Sequence, residues 1–203
     1  AKHYLNRYGV LSGQEIAIST NNDSVYATAN ELTKAGSNVH IIDARNTISQ
    51  DIVESAKRNG IEVSLGTAPF NINGRKKIDS LDVSEHNGQK FNKVNQIKCD
   101  LVLLSGGWSP TVHLLSHRGV RPIWDPVNLC FLPNELEEPI TVTGSASGIW
   151  HTDDCVKSGV AAGLKAAQSL GLKTTNYSFP QPGGWTNPIS PLYEVGYNKN
   201  YSK

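Results

Sequence analysis

The sequence predicts an α/β fold built on a parallel sheet, with an antiparallel meander inserted into it. Three observations carry this. β-Branched apolar runs at 16–18, 39–42 and 61–63 alternate with two helix-patterned segments. Residues 67–98 then switch to short β-like pieces broken by two Asn-Gly pairs. A continuous apolar run returns at Asp100-Leu101-Val102-Leu103-Leu104. Strand–helix–strand–helix–strand in so short a span implies right-handed crossovers between parallel strands.

Each element has its own local cause. Ile16-Ala17-Ile18 reads as the first strand, closed by the polar loop Ser19-Thr20-Asn21-Asn22. Asn22 or Asp23 can cap the next helix by accepting a backbone N–H bond in its first turn. Val25, Ala29 and Leu32 recur at helical spacing, and Gly36 sits where the helix ends. Val39-His40-Ile41-Ile42 forms the second strand and runs into Asp43. The second helix spans Ile48 to Asn59 and is stopped by Gly60, after which Ile61-Glu62-Val63 opens the third strand. Around Lys77 to Ser84, the dipeptides Asn73-Gly74 and Asn87-Gly88 favour tight hairpin turns.

The run at 100–104 lacks alternation and is expected to be a strand buried on both faces. Ser105-Gly106-Gly107-Trp108-Ser109-Pro110 stops it and lets backbone approach whatever lies at its carboxyl end. Pro122 to Pro139 is proline-rich and has no helical period. Ile140-Thr141-Val142-Thr143 is expected to be one more short strand, entering the loop Gly144-Ser145-Ala146-Ser147-Gly148. A helix follows from Thr152 to Leu170, with Val156, Val160, Gly163, Leu164 and Ala167 on one stripe suited to packing on a sheet. From Lys173 onward Pro, Gly, Asn and Tyr dominate, the pattern of a linker or wrapping arm.

Composition removes several function classes. With 38% hydrophobic and 18% charged residues the chain is too apolar and too periodic for a disordered tail. Lys plus Arg (19) nearly cancel Asp plus Glu (18), so no basic stripe points to nucleic acid and no polybasic segment points to a membrane surface. No apolar run is long enough to span a bilayer, and the first residues lack the layout of a signal peptide. Cys99, Cys130 and Cys155 are too widely spaced for a disulfide framework or a metal knuckle, so a cytoplasmic setting is expected. There is no methionine, not even at position 1. A middle portion of a longer polypeptide is therefore one expectation.

The candidate chemistry is sparse. In a dinucleotide fold the first loop holds diphosphate through a glycine turn, and a carboxylate after the second strand takes the ribose hydroxyls. Here Thr20, Asn22 and Val25 fall at the three glycine positions, where side chains obstruct the diphosphate. Asp43 stands alone at the carboxylate position. The Gly144–Gly148 loop is the better candidate, because its N–H groups can face a phosphate at the start of a helix. His113 and His117 share a helical face but lack a third metal ligand. His151, Asp153 and Asp154 begin the last helix, where carboxylates suit its dipole. Cys155 has no positive partner and reads as a small packing residue. No Ser–His–Asp or Walker-type arrangement is apparent, so no catalytic residue and no metal site are assigned.

The order of these pieces resembles the alpha subunit of heterotetrameric sarcosine oxidase. The likeness runs from about Tyr4 to Val195. It is carried by Tyr4-Leu5-Asn6-Arg7-Tyr8-Gly9-Val10-Leu11-Ser12-Gly13, Thr20-Asn21-Asn22-Asp23-Ser24, Leu104-Ser105-Gly106-Gly107-Trp108-Ser109-Pro110, Val142-Thr143-Gly144-Ser145-Ala146-Ser147-Gly148 and the Gly159–Gly163 run. The resemblance implies a three-layer nucleotide-binding fold of the FAD/NAD(P), glutathione-reductase-like type. It implies residues 1–14 as a returning segment of a first dinucleotide domain and 15–108 as an inserted, glycine-poor second one. Residues 109–172 would hold the crossover and the strand–helix that closes the first domain, and 173–203 a linker.

It further implies an NAD contact at Gly144 and Ser145, with Trp150 and Thr152 just beyond. Trp150 is bulkier than the aliphatic residue often found there, and Ser145 replaces a common alanine. The implied parent complex demethylates sarcosine oxidatively to glycine, with oxygen as acceptor and tetrahydrofolate taking the one-carbon unit. Its FAD and FMN would lie mostly outside this chain, and its partners would be beta, gamma and delta subunits. Two alternatives stay open. One is a subunit of an opine or related amine oxidase, a hydrogen cyanide synthase, or a free-standing pyridine-nucleotide reductase. The other is a non-catalytic scaffold with a nucleotide fold.

Overall fold

A computed structural model describes residues 1–86, 91–134 and 139–175. The Asn87-Gly88 turn and all but the first residues of the expected linker lie outside the described residues, as does part of the proline-rich stretch. The chain divides into two compact units, the first closing at Gly107 and the second opening at Trp108.

The first unit contains α1 (Lys2–Tyr8), β1 (Glu15–Thr20), α2 (Ser24–Lys34), β2 (Asn38–Asp43), α3 (Gln50–Arg58), β3 (Glu62–Leu65), β4 (Thr67–Gly74), β5 (Ile78–His86), β6 (Phe91–Lys98) and β7 (Leu101–Ser105). The parallel sheet has the order β3-β2-β1-β7, and β4-β5-β6 form the antiparallel meander. The expected strands and helices of this region are therefore present.

Period-two alternation explains the three layers. Ile16 and Ile18 of β1 with Val39 and Ile41 of β2 point to one face and pack with Val25, Ala29, Leu32 and Ala56 from α2 and α3. Ala17 and Ile42 point to the other face and pack with Leu81, Val83 and Cys99. Each face of the sheet is thus covered by a different kind of element. Burial pushes the Cys99 thiol up, consistent with a packing role.

Two features of these residues depart from expectation, while the α2 cap agrees with it. Of the two residues expected to cap α2, Asn22 does so, through the amide of Ser24 in the first turn of the helix. Asp23 holds the N-cap position without a side-chain cap bond, while Asn22 Oδ1 accepts from the Ser24 amide and hydroxyl. Strand β7 is not buried on both faces: Leu101 and Leu103 pack against the helix-side core and Val102 against the meander side, but Leu104 joins neither cluster and is 77% exposed. The first seven-residue helix, α1, was not anticipated. Gly9 ends it in the left-handed conformation (φ 65°), and its flank is held to α2 by Lys2 and Asn6 on Glu31.

The hairpin between β4 and β5 depends on Gly74. Its φ of 141° disfavours any side chain, and a Cβ there would collide with the Lys77 carbonyl. Gly74→Ala is expected to cost about 1–3 kcal/mol, read as a lowered midpoint in urea denaturation.

The second unit holds α4 (His113–His117), β8 (Ile123–Asp125), β9 (Cys130–Leu132), a 3₁₀ turn (Gly144–Ser147) and α5 (Thr152–Ser169). The proline-rich stretch forms a two-stranded ribbon from β8 and β9, which its composition did not show. Asp125 closes the ribbon by accepting from the Val127 amide at 2.8 Å and from Asn128 at 2.6 Å. Residues 140–143 are not a strand. Thr143 is extended, but no described strand pairs with it, and extended backbone without a ladder is not sheet. Helix α5 forms where expected, yet none of its residues is buried, so its small-residue stripe packs on no sheet among the described residues.

Candidate functional site

Two places deserve comparison as nucleotide sites, one in each unit. In the first unit the β1–α2 loop lies at the carboxyl end of the parallel strands, the position where doubly wound sheets hold ligands. Here the loop is filled by its own side chains. Asn22 is fully buried, and its Nδ2 donates to the Ser105 carbonyl at 3.1 Å and to Asn21 Oδ1 at 3.0 Å. The Thr20 hydroxyl accepts from the Asn22 amide at 3.2 Å and donates to the Ser105 carbonyl at 3.2 Å. Val25 is packed into the core beneath.

Asp43 is equally committed. It is fully buried, and each carboxylate oxygen already accepts two hydrogen bonds. Oδ1 takes the Arg45 amide and Nε, both at 3.0 Å. Oδ2 takes Arg45 Nη2 at 2.7 Å and the Tyr26 hydroxyl at 2.9 Å. Arg45 Nη1 meets Asp23 at 2.7 Å. A carboxylate offers about four lone-pair positions, so none remains for a ribose hydroxyl. Burial works against the charge on Arg45, but the hydrogen bonds and charges of Asp43 and Asp23 outweigh it and hold the guanidinium protonated. Burial, reinforced by Asp43, pushes the Tyr26 phenol up and keeps it a donor.

The second unit offers space instead. A cavity of about 310 Å³ is lined by Trp108, Ser109, Thr111, Ser145 and Trp150. The two indoles lie 6.2 Å apart between centroids, tilted by 38°. Trp150 Nε1 is buried and has no hydrogen-bond partner among the described residues. A buried donor without an acceptor is costly and marks a place where a ligand acceptor would be stabilised.

Of the residues singled out by resemblance, the structure brings Ser145 and Trp150 together here. Gly144 opens the 3₁₀ turn at φ 63°, and its amide is taken by the Ser158 hydroxyl at 3.3 Å. Thr152 is the exposed first residue of α5. Neither lines the cavity. Trp108, which does, was not singled out as a site residue; the only sequence signal was its place after Gly106-Gly107. Asp153 and Asp154 occupy the first turn of α5 and oppose an anion at that helix end.

His113 and His117 sit on the short α4, and no cluster of three metal-ligating side chains occurs among the described residues. Cys155 donates to the Ile149 carbonyl at 3.1 Å, a structural contact. No described helix is long and apolar enough to cross a membrane.

Comparison with known proteins follows from this geometry. Residues 26–123 match the family model described as pyridine nucleotide-disulphide oxidoreductase. Thioredoxin reductase from Lactococcus lactis superposes with a TM-score of 0.56 at 21% identity, covering 77% of this chain and 51% of that one. Bacillithiol disulfide reductase from Staphylococcus aureus gives 0.58 at 18% identity, covering 77% and 50%. These likenesses fix the fold. Over 195 residues the chain is 31% identical to the sarcosine oxidase alpha subunit of Corynebacterium sp. strain U-96, covering 93% of this chain. It is 34% identical over 170 residues, 83% of this chain, to that of Rhizobium meliloti strain 1021.

This chain is similar to sarcosine oxidase alpha subunits. It spans 20% of the first and 16% of the second of those relatives. The sarcosine oxidase likeness extends through both units, whereas the reductase family model stops inside β8.

Proposed function

We propose that this chain is the nucleotide-fold portion of a sarcosine oxidase alpha subunit, in which the first unit is scaffold and the second supplies one wall of an NAD site. Residues 15–108 are the inserted domain. Residues 1–14 and 109–172 belong to a first dinucleotide domain completed by other parts of the subunit, and 173–203 link onward. The parent oxidises sarcosine to glycine with oxygen and tetrahydrofolate, alongside beta, gamma and delta subunits in the cytoplasm. FAD and FMN are held mostly outside this chain.

The observation that carries the NAD reading is the buried, unpartnered Trp150 Nε1 beside Ser145. That donor and the Ser145, Ser109 and Thr111 hydroxyls suit the ring and ribose portions of a dinucleotide. The aspartates opening α5 do not suit its diphosphate, which is therefore held by residues outside this chain. Bound NAD would supply a nicotinamide ring able to carry a hydride. The residues of this chain bind and orient, and perform no proton transfer in sarcosine oxidation.

The test is calorimetric titration of this chain with NAD. Weak binding or none is expected, since half of the site lies elsewhere. Saturation at micromolar NAD would show a complete site here and overturn the reading.

A further inference from the structure

The cavity beside the two tryptophans has a chemistry that distinguishes the ends of a dinucleotide. At about 310 Å³ it lies at the small end for a ligand pocket, so one heterocycle with its sugar fills it and two do not. The indoles already meet as a tilted pair with centroids 6.2 Å apart, which leaves no room for a ring between them. Stacking area remains on Trp108, which is 50% exposed. The hydroxyls of Ser109, Thr111 and Ser145 and the buried Trp150 Nε1 make no hydrogen bond to another described residue.

Charge separates the two ends. The face of an indole is the negative part of its quadrupole and attracts a cation. The oxidised nicotinamide ring, alkylated on nitrogen, is positively charged, whereas adenine and the reduced nicotinamide ring are neutral. None of the five lining residues carries a charge that would repel a cation. The first turn of α5, directly after Trp150, adds Asp153 and Asp154, of which Asp154 meets Lys157 at 4.0 Å. Hydrogen bonding agrees with this. An indole N–H can only donate, while a hydroxyl both donates and accepts. A carboxamide offers an oxygen to the first and an amino group to the second.

Resting on the NAD reading above, we propose that this cavity takes the nicotinamide end of the dinucleotide and prefers the oxidised, cationic ring to the neutral reduced one. Trp108 is the stacking platform, and Trp150 Nε1 donates to the carboxamide oxygen. The Ser109, Thr111 and Ser145 hydroxyls serve the amide and the ribose. The adenine end lies outside this cavity, with the diphosphate.

The test follows the indole N–H NMR signals of the whole chain, assigned with Trp108→Leu and Trp150→Phe, during titration with small probes. These are 1-methylnicotinamide, its neutral 1,4-dihydro form and adenosine, with NAD titrated alongside. The Trp108 and Trp150 signals are expected to move with 1-methylnicotinamide, which should bind about 10-fold more tightly than its dihydro form. In Trp108→Leu that ratio should fall to about one. The substitution spares both buried core clusters, to which Trp108 does not belong. Equal affinities of the unaltered chain for the two nicotinamides would overturn the proposal. Movement of both indoles by adenosine and NAD, but by neither nicotinamide, would overturn it too and leave the NAD reading standing. If NAD itself moves neither indole, the NAD reading fails with it.

Discussion

Replacing Arg45 with alanine is expected to lower stability by about 3–5 kcal/mol, the cost of leaving buried charge without its partner. The guanidinium is 7% exposed and bridges the fully buried Asp43 to Asp23. Without it Asp43 keeps only the Tyr26 hydroxyl among the side-chain donors seen on its carboxylate. The carboxylate must then ionise in a poorly solvated place or take up a proton, and either outcome favours the unfolded chain. The combined Asp43→Asn, Arg45→Met variant should recover part of the loss, because it removes the fully buried carboxylate together with its partner and leaves only the less buried Asp23 without Arg45. Urea denaturation of the three proteins measures this. A loss below about 1 kcal/mol in Arg45→Ala would mean that the network is solvated and of the modest value found at surfaces.

Restoring glycine to the first loop should destabilise the protein without creating a nucleotide site. Asn22→Gly removes the side chain that serves the Ser105 carbonyl, Asn21 Oδ1 and the Ser24 amide. Buried polar groups left unpaired cost about 1–3 kcal/mol each. Even with some relaxation, a net loss of about 2–3 kcal/mol is expected. The variant still has Asp43 saturated by Arg45 and Tyr26, and Val25 still occupies the core beneath the loop. Its NAD titration should therefore match that of the unaltered chain. Micromolar binding by Asn22→Gly would show that the glycine pattern alone controls this site.

Much of the first unit was legible because its signals are local. Ile16, Ile18, Val39 and Ile41 announce strands by their own side chains, and Gly36 and Gly60 announce helix ends. The missing glycines at Thr20, Asn22 and Val25 likewise pointed to a closed loop. The degree of closure was not legible, since Asn22 reaches Ser105 across 83 positions. Asp43 read as a lone carboxylate because Arg45 folds back onto it and Tyr26 arrives from another element.

The misread elements share a cause. Leu101 to Leu104 look like a strand buried on both faces, but which of them meets a covering element is a property of the layers and not of the run. Residues 140–143 and the stripe on α5 have the right composition for a strand and its covering helix, while the described residues provide no neighbour for either. The Trp108–Trp150 pairing arises between residues 42 positions apart, so neither tryptophan signalled the other.

The most direct test of the account is to map the backbone amide and indole NMR shifts of this chain during titration with NAD to high concentration. The account predicts shifts at Trp108, Ser145 and the Trp150 indole N–H, with Thr20 to Ser24 and Asp43 unmoved. Shifts centred on Thr20 to Ser24 and Asp43, with the Trp150 indole unchanged, would contradict it and place the nucleotide in the first unit.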